Sequence, residues 1–148
     1  MTPHLLAFSI AHQYSRLARQ QRGVFLEVAV AAGAVIAPHT RVYVDCASTY
    51  SVFGRQWAER LHLDWDSGEP LRISTAAGVF HARLHEVTLS LSLIDLEWTA
   101  WVAFAEWDST PPSPARDVLG LNGFFDRFLV AIDDLEESIY LEPHFLSE

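Results

Sequence analysis

The 148-residue chain has a single cysteine, Cys46. An intrachain disulfide is therefore impossible, and a reducing compartment, the cytoplasm, is the expected location. Basic residues are scarce: 10 Lys and Arg face 19 Asp and Glu, for a net charge of -9. Such a surface repels phosphate backbones, so nucleic acid is a poor partner. Long hydrophobic runs are also missing. The apolar run from Leu5 to Ile10 lacks a basic segment before it and is too short to cross a bilayer. No membrane partner is expected. The chain has no G-x-S-x-G, no P-loop and no dinucleotide-type glycine pattern. It also shows no internal repeat, low-complexity tract or linker. Its length is that of one domain.

What is present is apolar. Half of the residues are hydrophobic and nine are Phe, enough to bury a real core and too many for a disordered chain. Residues 1–23 are hard to place. Leu5, Leu6, Phe8 and Ile10 have the apolar content of a short edge strand, and Arg16, Arg19 and Arg22 follow at helical spacing, as on a solvated face. From Val24 to Ala31 both alternating sets are largely apolar, which predicts a central strand. Ala32-Gly33 marks a break, Pro38-His39 a second one, and Arg41 to Asp45 the next strand. Trp57 and Leu61, four apart with charges between, predict a short amphipathic helix. Leu71–Thr75, Val87–Leu93 and Leu96–Phe104 read as strands, and the proline-rich stretch 108–116 as a loop. Val118-Leu119-Gly120 reads as a short strand ending at glycine. Phe124, Phe125 and Phe128 suggest one or two helical turns. Val130, Ile132, Ile139 and Leu141 suggest a final hairpin around Asp133-Asp134. The sum is a mostly β domain, a closed or sandwiched sheet with one or two short helices.

One stretch organises the rest: Val42-Tyr43-Val44-Asp45-Cys46-Ala47-Ser48 and onward to Phe53. A buried strand delivers an acid into a turn of small side chains. There a carboxylate is poorly solvated, its pKa can move, and chemistry becomes possible. Taken alone, the stretch reads more simply as a solvent-exposed Asp that starts a turn.

Three pieces in order change that balance. Val44-Asp45-Cys46-Ala47-Ser48 resembles the acid-Thr/Ser-Gly-Ala turn of the retropepsin-like aspartic proteases. Arg55 to Leu63 is similar to the helix after that turn in the single-lobe cellular and bacterial members. Asp117-Val118-Leu119-Gly120-Leu121-Asn122-Gly123-Phe124-Phe125-Asp126-Arg127-Phe128 is similar to the family's apolar-apolar-Gly strand and its short helix. The final hairpin resembles the family's closing hairpin, and Ser74-Thr75-Ala76-Ala77-Gly78-Val79 falls where the family has its flap tip. The resemblance covers residues 24–143, leaving 1–23 as an N-terminal segment and 144–148 as a tail. It implies a closed β-barrel of the acid-protease type. It also implies Asp45 as the catalytic acid and base. Cys46, Ala47 and Ser48 would lie along the substrate backbone. Thr75, Ala76, Ala77 and Gly78 would form a flap, and Gly120 and Asn122 would support the turn. No cofactor and no metal are implied. The chain has only one such turn, so a two-carboxylate site requires a homodimer acting on a peptide or protein substrate.

Two positions depart from the family pattern. Cys46 stands where a Thr or Ser hydroxyl links the two turns, and a thiol is a weak donor and acceptor. Ala47 stands where the family has glycine and adds a methyl. A binding or dimerisation module on the same fold, without proteolysis, is the alternative these departures motivate. Other candidates carry less. His81 and His85 lie four apart but on a strand pattern, with no third ligand for zinc. Cys46 reads as a buried structural thiol rather than a nucleophile. The five tryptophans read as core or interface.

Overall fold

The computed structural model describes residues 8–14, 23–75, 78–91, 95–107 and 116–144, with backbone only at 38–40. Its strands are β1 (Ile10–Gln13), β2 (Phe25–Ala32), β3 (Val35–Val44), β4 (Val52–Gly54), β5 (Glu69–Thr75), β6 (Gly78–Leu91), β7 (Leu96–Ala105), β8 (Val118–Leu119), β9 (Phe128–Asp133) and β10 (Ser138–Pro143). One α-helix, α1 (Arg55–Arg60), follows β4. The proline-rich 108–115 stretch, Arg16, Arg19 and the tail after His144 lie outside the described residues. No helix among the described residues is long and apolar enough to cross a membrane.

The protein is mostly β. Six strands close into a barrel in the order β2-β3-β8-β4-β7-β6, and β6 returns to β2 through Ala29↔Ser90 and Val30↔Leu89. The central position expected for β2 follows from its composition. Leu26, Val28 and Val30 are sealed inside, while Phe25 is also buried on the other face against Tyr43. Side chains alternate across a strand, so Val42, Leu89, Val102 and Phe104 meet these residues in the barrel core. Each fully buried side chain of this size contributes roughly 1.5–3 kcal/mol.

Pro38-His39 does not end a strand. β3 runs through it with a shift in register: Val28 pairs with Thr40 but Val30 pairs with Ala37. An extra residue bulges out of β3 there. A proline has no N–H for the ladder, and a bulge is one place in a sheet that tolerates it.

The helix α1 forms because Trp57, Ala58 and Leu61 share one face, and all three are buried on the barrel. Arg55 and Glu59 pair along its solvent side at 3.6 Å. His62, at φ 55°, takes the left-handed conformation that stops it. A 3-10 turn at Trp65–Ser67 then leads into β5. Phe124 to Arg127 makes hydrogen-bonded turns rather than a helix. The last hairpin, β9 and β10, forms a separate sheet with β1 in the order β1-β10-β9. Phe128, Ile139 and Leu141 drive it into the same core. The N-terminal segment thus enters the domain through β1, paired from Ile10↔Leu141 to Gln13↔Ser138.

Candidate functional site

The connection from β3 to β4 is short, yet the two strands are not neighbours. β8 lies between them, parallel to β3 and antiparallel to β4. The β3–β4 loop, residues 45–51, therefore folds against the turn that leaves β8. The Asp45 amide donates to the Leu119 carbonyl at 2.9 Å and extends the β3–β8 ladder by one residue. Asp45 Oδ1 accepts from the Ala47 amide at 2.9 Å, an Asx turn that bends the chain. The Ser48 amide returns to the Asp45 carbonyl at 3.2 Å, and Ser48 Oγ donates to the Tyr50 carbonyl at 2.6 Å. Asp45 itself is half-buried.

The second turn is zipped to the first by backbone. The Leu121 amide donates to the Ser48 carbonyl at 2.8 Å, and the Asn122 amide to the Thr49 carbonyl at 2.9 Å. Ser51 is fully buried between them. Its Oγ donates to the Asn122 carbonyl at 2.8 Å and accepts from the Gly120 amide at 3.0 Å. Gly120 has no room for a side chain: a Cβ there would run into the carbonyl oxygens of Ser48 and Tyr50. Gly120 and Asn122 thus lie beside the Asp45 turn, and the Asn122 bonds are made by its backbone.

Asp117 anchors the same assembly from behind. It is buried, and its two carboxylate oxygens accept from the Gly54 amide at 2.9 Å and the Trp57 indole at 2.8 Å. It ties the β8 entry to the β4–α1 junction. Reading the sequence assigned no role to Ser51 or Asp117. The usable signal was an acid directly before an apolar-apolar-Gly strand, with an indole available on the helix α1 far earlier in the chain.

An apolar surface adjoins the turn on the outside of the barrel. Val52, Ala82, Ala103 and Ala105 are buried there, flanked by Ile73, Phe80, Trp107 and Val118. Val118 precedes the residue whose carbonyl holds the Asp45 amide. The β5–β6 hairpin supplies Leu71, Ile73 and Phe80 to this cluster, and Phe80 meets Trp107 edge-on at 5.0 Å. At its tip Thr75 pairs with Gly78, and Thr75 Oγ1 donates to the Gly78 carbonyl at 3.1 Å. Gly78, at φ 128°, adopts a conformation reserved for glycine. Ala76 and Ala77 lie outside the described residues. A cavity of about 230 Å³ opens beside Tyr50, Leu84, Trp101, Asn122 and Arg127.

Cys46 corrects one expectation. It is a free, exposed thiol rather than a buried one, because it falls in the turn beyond the end of the β3 ladder. Ala47 is exposed beside it. His81 and His85 do not form a pair: four residues of strand separate them by roughly 13 Å. No group of three or more metal-ligating side chains occurs among the described residues.

No family model, curated protein or solved structure matches this chain.

Proposed function

We propose that the chain is one subunit of a retropepsin-like aspartic endopeptidase, active as a homodimer. The observation that carries this reading is the brace around Asp45. A carboxylate leaves a barrel strand in an Asx turn, locked by backbone to a second turn at Gly120–Asn122, next to an apolar surface that a β-hairpin shares.

One carboxylate per chain does not complete the chemistry. Two Asp45 side chains across a two-fold axis would do so. Like charges that close cannot both ionise, so the pair holds one proton. The ionised carboxylate takes a proton from a water molecule between them. The oxygen of that water attacks the peptide carbonyl carbon, while the protonated carboxyl donates to the carbonyl oxygen. Collapse of the tetrahedral intermediate expels the amine, which receives a proton from the pair. The turn at Cys46, Ala47 and Ser48 would run along the substrate backbone, and the hairpin from Thr75 to Gly78 would cover it. A reducing compartment such as the cytoplasm suits the exposed Cys46 thiol.

A second reading rests on Cys46. Its exposed thiol makes no hydrogen bond among the described residues, where a hydroxyl would bridge to the partner turn. A binding module on this fold would look the same. A peptide-library digest separates the two, using wild type, Asp45→Asn and the double variant Cys46→Thr with Ala47→Gly from acidic to neutral pH. An endopeptidase cleaves best at mildly acidic pH, where the pair is singly protonated. Asp45→Asn, nearly isosteric but unable to act as a base, abolishes that cleavage. Cleavage surviving Asp45→Asn removes Asp45 from the mechanism. Cleavage by the double variant alone favours the binding module.

A further inference from the structure

Strand β6 presents Ala82 and Leu84 to the outer apolar cluster, and Arg83 and His85 alternate onto its other face. Against that second face lies the turn from Asp64 to Gly68, which leads directly into β5. His85 is 7 % exposed there. Its ring sits 6.4 Å from the Trp65 ring and 5.9 Å from Phe104. Its Nε2 is sealed from solvent and makes no hydrogen bond. Gly68 closes over it so tightly that a Cβ would run into the imidazole.

We propose that His85 is an acid-released latch: when the ring takes up a proton, the Asp64–Gly68 turn lifts off the back of the β5–β6 hairpin. A protonated ring carries an N–H at Nε2 with no acceptor, in a site lined by Trp65 and Phe104. Leaving a charged donor unsatisfied there is costly, and admitting water relieves the cost. The turn is the part able to move. What holds it besides ring packing is the Trp65 backbone hydrogen-bonded to the imidazole, an Arg83 Nη1 hydrogen bond to the Gly68 carbonyl at 3.0 Å and the Arg55 guanidinium stacked 4.2 Å over Trp65. An exposed Asp66–Arg83 contact of 4.0 Å adds little.

The charges around the ring do not rescue the cation. Burial lowers its pKa below the ordinary 6.5, and Arg83 on the same strand pushes the same way. The Trp65 backbone and Asp64 oppose that shift and are outweighed. β7 contributes Phe104, which carries no charge. The sign of the linkage follows. The unfolded or open turn binds the proton more readily than the closed one, so closure is complete above pH 6.5 and is lost as pH falls through the depressed value. The latch stands apart from the endopeptidase reading, since it needs no cleavage.

Hydrogen exchange of the full chain tests it, compared at about pH 7.5 and about pH 5, which bracket the ordinary histidine range. After correction for intrinsic rates, protection of the turn and of early β5 should fall at least about tenfold in wild type, relative to the β9–β10 hairpin. His85→Leu should remove that pH dependence. Equal protection at both pH values in wild type overturns the latch, and so does the same loss in His85→Leu. If His85→Leu does not fold, a proton NMR titration of wild type decides. A His85 midpoint below 6.5 that coincides with a shift of the Trp65 indole supports the latch. A midpoint at or above 6.5, or an unmoved indole, overturns it.

Discussion

Asp117 shows how much one buried side chain can hold. Its carboxylate receives the Gly54 amide and the Trp57 indole, so it joins β8, β4 and α1 at one point. An unpaired buried donor costs roughly 1–3 kcal/mol. Asp117→Ala strands two of them and should destabilise the protein by roughly 2–6 kcal/mol. A urea unfolding curve would show this as a lower midpoint with an unchanged slope. Asp117→Asn keeps one acceptor and should lose less. An Asp117→Ala midpoint equal to wild type would mean that water already serves these donors. Ser51 is legible in the same terms only after folding. A serine in a small-residue turn is ordinary by composition, and its role comes from Gly120 and Asn122, about seventy residues away.

Among the elements, the β5–β6 hairpin is the one whose two faces differ in purpose. Along its length Leu71, Ile73 and Phe80 are committed to the outer apolar cluster. Toward the tip Ser74, Thr75, Gly78 and Val79 are exposed, Val79 at 54 %. Few contacts hold that end, and a peptide lying along the Asp45 turn would add them. Amide exchange of Ser74, Thr75, Gly78 and Val79 should therefore be fast in the free protein and slow on binding a peptide-like inhibitor with a hydroxyl at the scissile position. Uniformly slow exchange without ligand would count against a covering role. Alternation marked Leu71–Thr75 as a strand, whereas its pairing with β6, from Glu69↔Leu84 to Thr75↔Gly78, is decided by the tertiary structure. The strand pattern around His81 and His85 already extended β6 ahead of Val87, and its outer half packs on the outer apolar cluster.

The whole molecule presents one acid turn and a net charge of -9. A two-carboxylate site then depends on two copies meeting at Asp45, a self-complementary contact. Sedimentation at micromolar concentration should show a dimer. Two strongly acidic chains repel over a Debye length, which salt shortens from about 30 Å at 0.01 M to about 8 Å at 0.15 M. Dimerisation should accordingly strengthen as salt is raised over that range. Asp45→Asn, which removes the ionised carboxylate of the pair from the contact, should leave it intact. A monomer at every concentration and salt tested would remove the basis for paired carboxylates.

By itself the sequence determined the local and periodic features. Alternation settled β7 and the β9–β10 hairpin, because a strand with one buried face must repeat every two residues, and apolar content on both faces settled β2. The Trp57–Leu61 spacing settled α1, and Gly33 and Gly78 settled two turns. Asp45 stood out as the acid at the end of an apolar strand. Only the tertiary structure decided what surrounds it. β8 comes from far along the chain and inserts between β3 and β4, a pairing with no local signature. That insertion crowds Gly120 against Ser48 and Tyr50, buries Ser51 and Asp117, and leaves Cys46 outside in the turn. His85 shows the same division. Its strand is plain from the alternation around it. Its dry, unpartnered nitrogen exists only because the Asp64–Gly68 turn folds back over it, and backbone periodicity carries no record of which segment will cover a given side chain.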